Sequence, residues 1–363
     1  MTILHRNGMR YLVNKKIRMK QALILFIVII GLAACGNKTK APDVSNISVD
    51  LKVERFDRDF FALDTNHTES GMVALQEKYP VLLPLYLQGI LGVFDPAGVN
   101  SFYQYYKPVY DSVQKAFPDF DGIAKEIGQS FRYVKHYFPA YELPRRIIPI
   151  VGPMNAADDL PRKANGEYTA VFGREDFVGI SLQFYLGKDF SLYNVEYFIN
   201  NVAPLYISRR FEKQYIVPDV MKLIVDDLYP DESQALPLIG QIIEKGKRWW
   251  LLDKLMPHTA DSLKTGYTGL QTEWVEHNEG AVWASFIKNV NLQATDRPTI
   301  QTFIGDAPFT QFFSQEFAPG NIGPWFGRQI VRKFAANNSS LTIDEIMKKT
   351  PQEILDDAKY KPK

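Results

Sequence analysis

RIIPIV at positions 146–151, with TAVF at 169–172 and VGISL at 178–182, is the stretch on which the fold class turns. Each run is short, apolar and rich in β-branched residues, and Gly, Pro, Asn and Asp separate them, so they read as strands of a small central sheet. Working outwards, helical periodicity takes over on both sides. Towards the amino terminus, residues 71–138 read as helices broken by Pro80, Pro84, Pro96, Pro108 and Pro118, with Tyr and Phe supplying much of the apolar face. Beyond Asn194 the helical pattern returns over 219–228, 235–255, 268–289 and 324–335. Capping boxes mark three helix starts: Thr268 with Gln271, Thr342 with Glu345, and Thr350 with Glu353, the last with Pro351 at the first helical position. The expected fold is therefore α+β and mainly α-helical, one compact body over 49–363 around a small central β-sheet. Val49, Leu51 and Val53 alternate with Asp50, Lys52 and Glu54 as an opening strand.

Ahead of that body the chain changes character twice. Arg6, Arg10, Lys15, Lys16, Arg18 and Lys20 precede an uninterrupted apolar or glycine run from Ala22 to Ala34, and no acidic residue occurs before Cys35. A basic segment followed by an apolar run is the pattern of a secretory signal. Thirteen residues are too few to cross a hydrocarbon core, which takes roughly 20 in a helix. Leu32-Ala33-Ala34-Cys35 ends the run with two small residues before a cysteine and resembles a lipobox, so residues 1–34 read as a lipoprotein signal peptide and Cys35 as the lipidated residue. Met9 and Met19 are alternative starts. Residues 35–48 are polar, contain Pro42 and read as a flexible tether.

Cys35 is the only cysteine, which excludes an intramolecular disulfide and a cysteine nucleophile in the body. Removing the six basic residues ahead of Cys35 takes the formal charge from +1 to −5. A mildly acidic body argues against a nucleic-acid partner. Four histidines follow Cys35 (His67, His136, His258 and His277), and no two stand four apart. A helical zinc site of the HExxH type needs that spacing to bring two imidazoles to one ion, so no metal is expected. There is also no GxSxG elbow, phosphate-binding P-loop or dinucleotide GxGxxG, and no cofactor is expected.

Chemistry-bearing side chains are densest in WVEHNEGAVW, 274–283. On a continuous helix Glu279 shares a face with Val275, Val282 and Trp283, and Glu276 lies beside it, with His277, Trp274 and Trp283 close by. Two carboxylates in a poorly solvated groove can share a proton, hold a cation or act as an acid–base pair; alternatively both are hydrogen-bonded and fix helix packing. Lys222 and Asp226 stand four apart, the spacing of an ordinary helix-surface pair. In GNIGPWFG, 320–327, Gly323 and Gly327 allow close approach of a ligand or, more commonly, of another helix. Arg328 is placed to pair with an anion or a carboxylate, Glu279 being one candidate. The cluster Tyr103, Tyr105, Tyr106 and Tyr110 reads as core.

VERFDRDFFALD at 53–64, WVEHNEGAVWASFIKN at 274–289, APFTQFFSQEFAPGNIGPWFGRQIVRKF at 307–334 and the YKPK ending together resemble the gliding motility lipoprotein GldB family. The resemblance implies a palmitate-bearing cell-envelope lipoprotein of Bacteroidota. Its implied partners are the membrane and the envelope proteins of gliding and type IX secretion, in a non-enzymatic role. Gly36–Ala41 carries two lysines and no acid, unlike the acidic stretch that resembles a surface-export signal in such bacteria, so the implied anchor faces the periplasm. The family in turn resembles zincin-type metallopeptidases, which implies a zincin-like scaffold with a strand at 178–182 and a helix at 219–228. Asp226 and Asp227 stand there in place of a histidine–glutamate pattern. Two alternatives accompany this reading: an unusual zincin-like metal-dependent hydrolase, and a lipoprotein that binds a peptide or glycan.

Overall fold

RIIPI does form the centre of a sheet. In the computed structural model, which describes residues 41–155, 170–174 and 176–362, strand β2 (Arg146–Ile150) lies between β1 (Lys52–Val53) and β4 (Phe177–Ser181), and β3 (Val171–Arg174) closes the far edge in the order β1-β2-β4-β3. The signal segment, Cys35 and Thr169 lie outside the described residues. β1 and β4 run parallel to β2, with Ile148 opposite Gly179, and β3 is antiparallel to β4. A parallel strand covered on both faces reads as a continuous apolar run, and Ile147 to Ile150 are all buried. Pro149 is tolerated at this central position for a directional reason. Arg145 and Ile147 carbonyls accept from Lys52 and Glu54, so the nitrogen of residue 149 faces the same side, where β1 has already ended. Gly179 lies under the ring of Phe172 across the β3–β4 pair; a Cβ there would fall 2.1 Å from Phe172 Cζ.

β1 is shorter than the alternation at 49–54 suggests because the chain turns at once into helix α1 (Phe56–Phe61). Val44 is already buried, at 2% exposure, so the compact unit Val44–Lys363 begins inside the segment read as tether. The turn into α1 is set by charge. Asp57 is buried and accepts from Arg55 Nε at 2.8 Å, Arg55 Nη2 at 2.6 Å and Gln114 Nε2 at 2.8 Å. Phe56 and Phe60 then pack edge-on against Tyr79 and Tyr86, while Phe61 stacks on Tyr110 at 4.4 Å. Tyr110 lies on α2 (Pro96–Ala116), where Tyr106 stacks on Phe102 and Tyr105 projects into solvent. Pro108 does not break α2. The carbonyl it leaves unbonded belongs to exposed Gln104, which water can reach.

Helix α3 (Asp121–Tyr137) packs on α4 (Ile216–Leu228), and α4 on α5 (Leu238–Leu255). Next come α6 (Gly269–His277), α7 (Glu279–Asn289), α8 (Arg297–Ile304), α9 (Ile322–Asn337) and α10 (Pro351–Ala358). The three capping boxes expected from sequence are all formed, at Thr268, Thr342 and Thr350. The most extensive helix pair is α5 with α9. They touch backbone to backbone: a Cβ on Gly246 would lie 2.1 Å from the Gly327 carbonyl carbon, and one on Gly327 only 1.9 Å from the Ile242 oxygen. Among the described residues no single helix is long and apolar enough to cross a membrane.

Candidate functional site

The carboxylate pair expected on one helix face is not formed. Residues 268–289 make two helices, because Asn278 ends α6 with its backbone and side-chain nitrogens both on the Trp274 carbonyl, at 3.0 and 2.8 Å, and starts α7. An asparagine side chain that satisfies a local carbonyl competes with helix continuation. Glu276 and His277 are left exposed on α6. Glu279, in the first turn of α7, accepts a short hydrogen bond from the Tyr360 hydroxyl. Burial, and then that bond, raise the Tyr360 pKa far above its usual value, so Tyr360 keeps its proton and donates it. Trp283 meets the Tyr360 ring edge-on at 5.2 Å, and Glu279 therefore fastens the end of the chain to α7.

The second pair of acids is likewise split between partners. Asp226 forms an ion pair with Arg248 of α5, and Asp227 accepts from the Tyr141 hydroxyl at 2.6 Å. Lys222 reaches Asp219 at 3.2 Å. The two aspartates thus join α4 to different neighbours and do not converge on one point.

Arg328 does not pair with Glu279. It faces the other way on α9, only 1% exposed, with Nη2 3.1 Å from Asp261 and Nη1 3.5 Å from Asp253, the latter an ion-pair distance without hydrogen-bond geometry. Lys264, also buried, reaches Asp253 at 2.7 Å and Asp261 at 2.9 Å, and Arg332 reaches Asp253 at 2.6 Å. Three cations therefore share two carboxylates, and Trp249 covers the Arg328 guanidinium at 6.0 Å. Burial alone would push the Asp261 carboxyl up, but Arg328 and Lys264 outweigh it and hold it below the usual range. A carboxyl so held does not donate protons near neutrality. Its work is to seat α9 on the short helix Asp261–Thr265 that precedes α6. Gly323 and Gly327 belong to the same helix contact: a Cβ on Gly323 would lie 2.9 Å from both an Ile242 side-chain carbon and the Phe303 carbonyl oxygen.

What the fold does bring together is aromatic. Trp283 and Phe286 of α7 meet Phe326 of α9 at 5.4 and 5.5 Å, Phe286 lies parallel to Phe313 at 6.1 Å, and Phe313 meets Trp274 at 6.3 Å. Sequence reading singled out the two tryptophans but not Phe312, Phe313, Asp253 or Lys264. Phe312 and Phe313 sit in the loop joining α8 to α9, where no periodicity reports which ring turns outwards. Asp253 and Lys264 stand on separate elements whose contact no local spacing encodes. A groove of about 620 Å³ runs between Val49 and Leu51 on one side and Lys125, Gln129 and Arg132 of α3 on the other, and none of the sequence candidates lines it. Among the described residues no three His, Cys, Asp or Glu side chains converge as a metal-holding group.

No curated protein and no solved structure matches this chain. A family model does: that of gliding motility protein GldB, over residues 37–362. That span takes in the buried Arg55–Asp57 lock, the aromatic α6–α7–α9 contact and the fastened Tyr360, and the chain belongs to the GldB family of gliding motility lipoproteins.

Proposed function

We propose that this protein is a lipid-anchored, non-catalytic body of the bacterial cell envelope that supports gliding motility and the associated type IX secretion machinery by holding other envelope proteins. The observation that carries the reading is the family match over 37–362. It is supported by the amino-terminal pattern, a basic segment, a thirteen-residue apolar run and LAAC, which assigns the lipid to Cys35 and residues 1–34 to a cleaved signal. A lipoprotein cysteine carries several acyl chains, palmitate among them, which gives stable anchoring where one chain gives only marginal binding. The lysines at 38 and 40 favour a periplasm-facing anchor.

Support for a non-catalytic role comes from the partners of the candidate acids. Asp226, Asp227 and Glu279 each serve a different structural contact, Glu276 and His277 point to solvent, and an acid–base mechanism needs two such groups on one reacting centre. The zincin-type likeness enters as scaffold alone, with α4 carrying Asp226 and Asp227 where a zinc-binding helix of that type needs two histidines and a glutamate. The test is metabolic labelling with palmitate and membrane fractionation of the wild type and Cys35→Ala. Label and membrane association in the wild type, both lost with gliding in the variant, are the expected results; an unlabelled wild type or a gliding soluble variant refutes the reading.

A further inference from the structure

The loop 305–320 between α8 and α9 is held at its neck and aromatic at its tip. Thr310 is fully buried, and both its backbone nitrogen and Oγ1 donate to the Pro319 carbonyl, at 3.0 and 2.7 Å. Gly320 lies against the Ala307 carbonyl, where a Cβ would fall 1.9 Å from the oxygen, and Gln271 of α6 donates to the Pro308 carbonyl. At the tip Phe312 is 81% exposed and holds φ at +76°, a left-handed conformation that side-chain-bearing residues adopt at a cost. Strain of this kind persists where the surroundings over-determine it and clusters at functional positions. Among the described residues its ring meets one other ring, Phe303, in a stack at 6.4 Å. Phe313 continues the surface to Trp274, and Leu270, one turn earlier on α6, is exposed, as are Ile287 beside Phe286 and Phe317 in the same loop.

Charge on this surface is one-sided. Residues 269–287 and 305–321 contain five acids and no Lys or Arg, and the exposed Lys288 at the far end of the patch, directly after Ile287, is the nearest cation in sequence. Asp306 is paired with Arg210 at 2.9 Å and Glu279 holds Tyr360, whereas Glu273, Glu276 and Glu316 are exposed without a partner among the described residues. An exposed apolar patch rimmed by uncompensated carboxylates fits a partner of opposite sign. We propose that the Phe312 loop and α6 form a docking surface for a protein segment that presents Lys or Arg beside an aromatic or aliphatic side chain. The pinned neck presents the anchor ring without an ordering cost on binding. An anionic bilayer would be repelled by the same three carboxylates. The inference rests on reading the protein as a holder of envelope partners, and its test reads binding without reference to motility or lipidation.

The test pans a displayed library of random dodecapeptides on the immobilised full chain and, in parallel, on Phe312→Gly. Peptides enriched on the wild type should gain Lys and Arg beside an apolar residue, and individual peptides should bind Phe312→Gly, and the triple variant Glu273→Lys, Glu276→Lys, Glu316→Lys, at least about tenfold more weakly. Phe312→Gly should melt within about 3 °C of the wild type, because glycine adopts this backbone freely. No enrichment, enrichment without a basic excess, or equal retention by Phe312→Gly overturns the proposal. So does a large fall in melting temperature for Phe312→Gly, which would make the ring structural. Phe312-dependent binding of neutral oligosaccharides or of phosphatidylglycerol vesicles would assign the surface to a glycan or a lipid and overturn it equally.

Discussion

Tyr360 places its hydroxyl on Glu279 and its ring against Trp283, and through those two contacts the last residues of the chain are tied to α7. A net hydrogen bond of this kind contributes about 1 kcal/mol, and the aromatic contact is kept when the hydroxyl alone is removed. Tyr360→Phe, Glu279→Ala and the double variant should therefore show a coupling of about 1 kcal/mol in urea denaturation. Strictly additive losses would mean that the pair does no structural work. At this scale the sequence is legible as to which residues matter and less so as to partners. Arg328 reads as a partner for an anion or a carboxylate, but the carboxylates it meets, Asp253 and Asp261, are 75 and 67 positions away, while Glu279, nearer in sequence, faces a different side of α9. Pairing of this type is decided by helix docking, which no single helix encodes.

The helices themselves were largely legible, since capping boxes and apolar periodicity are local physics. Thr268, Thr342 and Thr350 each cap where expected. Asn278 is the exception, because apolar positions repeat through it at helical spacing, yet α6 ends there with the Asn278 side chain on the Trp274 carbonyl and α7 starts anew. Glycines give the clearest element-scale test. Gly327 has the α5 backbone where a Cβ would go, whereas a Cβ on Gly128 of α3 would meet nothing within 4 Å. Gly327→Ala should cost about 3 kcal/mol by forcing α5 and α9 apart. Gly128→Ala should stabilise by about 0.5–1 kcal/mol, since alanine is the better helix former. Thermal melts of the two variants check this, and a Gly327→Ala melt equal to the wild type would disprove the close crossing.

At the scale of the molecule, several acidic side chains among the described residues are held by cations and by helix caps. Asp176 is lowered by Arg146, Asp344 by Lys348 and Tyr229, and Glu353, held by Lys349 and the Thr350 cap, is brought down to about 2. For Asp231 and Asp261 burial pushes upward, but the neighbouring lysines and arginines prevail and both stand low. A carboxyl whose folded pKa is below its unfolded value adds stability that is complete above the unfolded value and is lost as pH falls through the folded one. The melting temperature should then change little from pH 7 to pH 5 and fall steeply below about pH 4. A steep fall between pH 7 and 5 would contradict these assignments. The mainly helical α+β body around one small sheet was legible from RIIPIV outwards. Its acids read as a possible reacting pair because sequence spacing assumes one unbroken helix, and the break at Asn278 removes that premise. On the proposed function the body holds partners and does not catalyse. That reading is tested by restoring gliding in a strain lacking its own copy, using the single amide variants Asp226→Asn, Asp227→Asn and Glu279→Gln. Each variant that reaches wild-type membrane abundance should restore wild-type gliding; a folded, membrane-attached amide variant that cannot glide would contradict the non-catalytic reading.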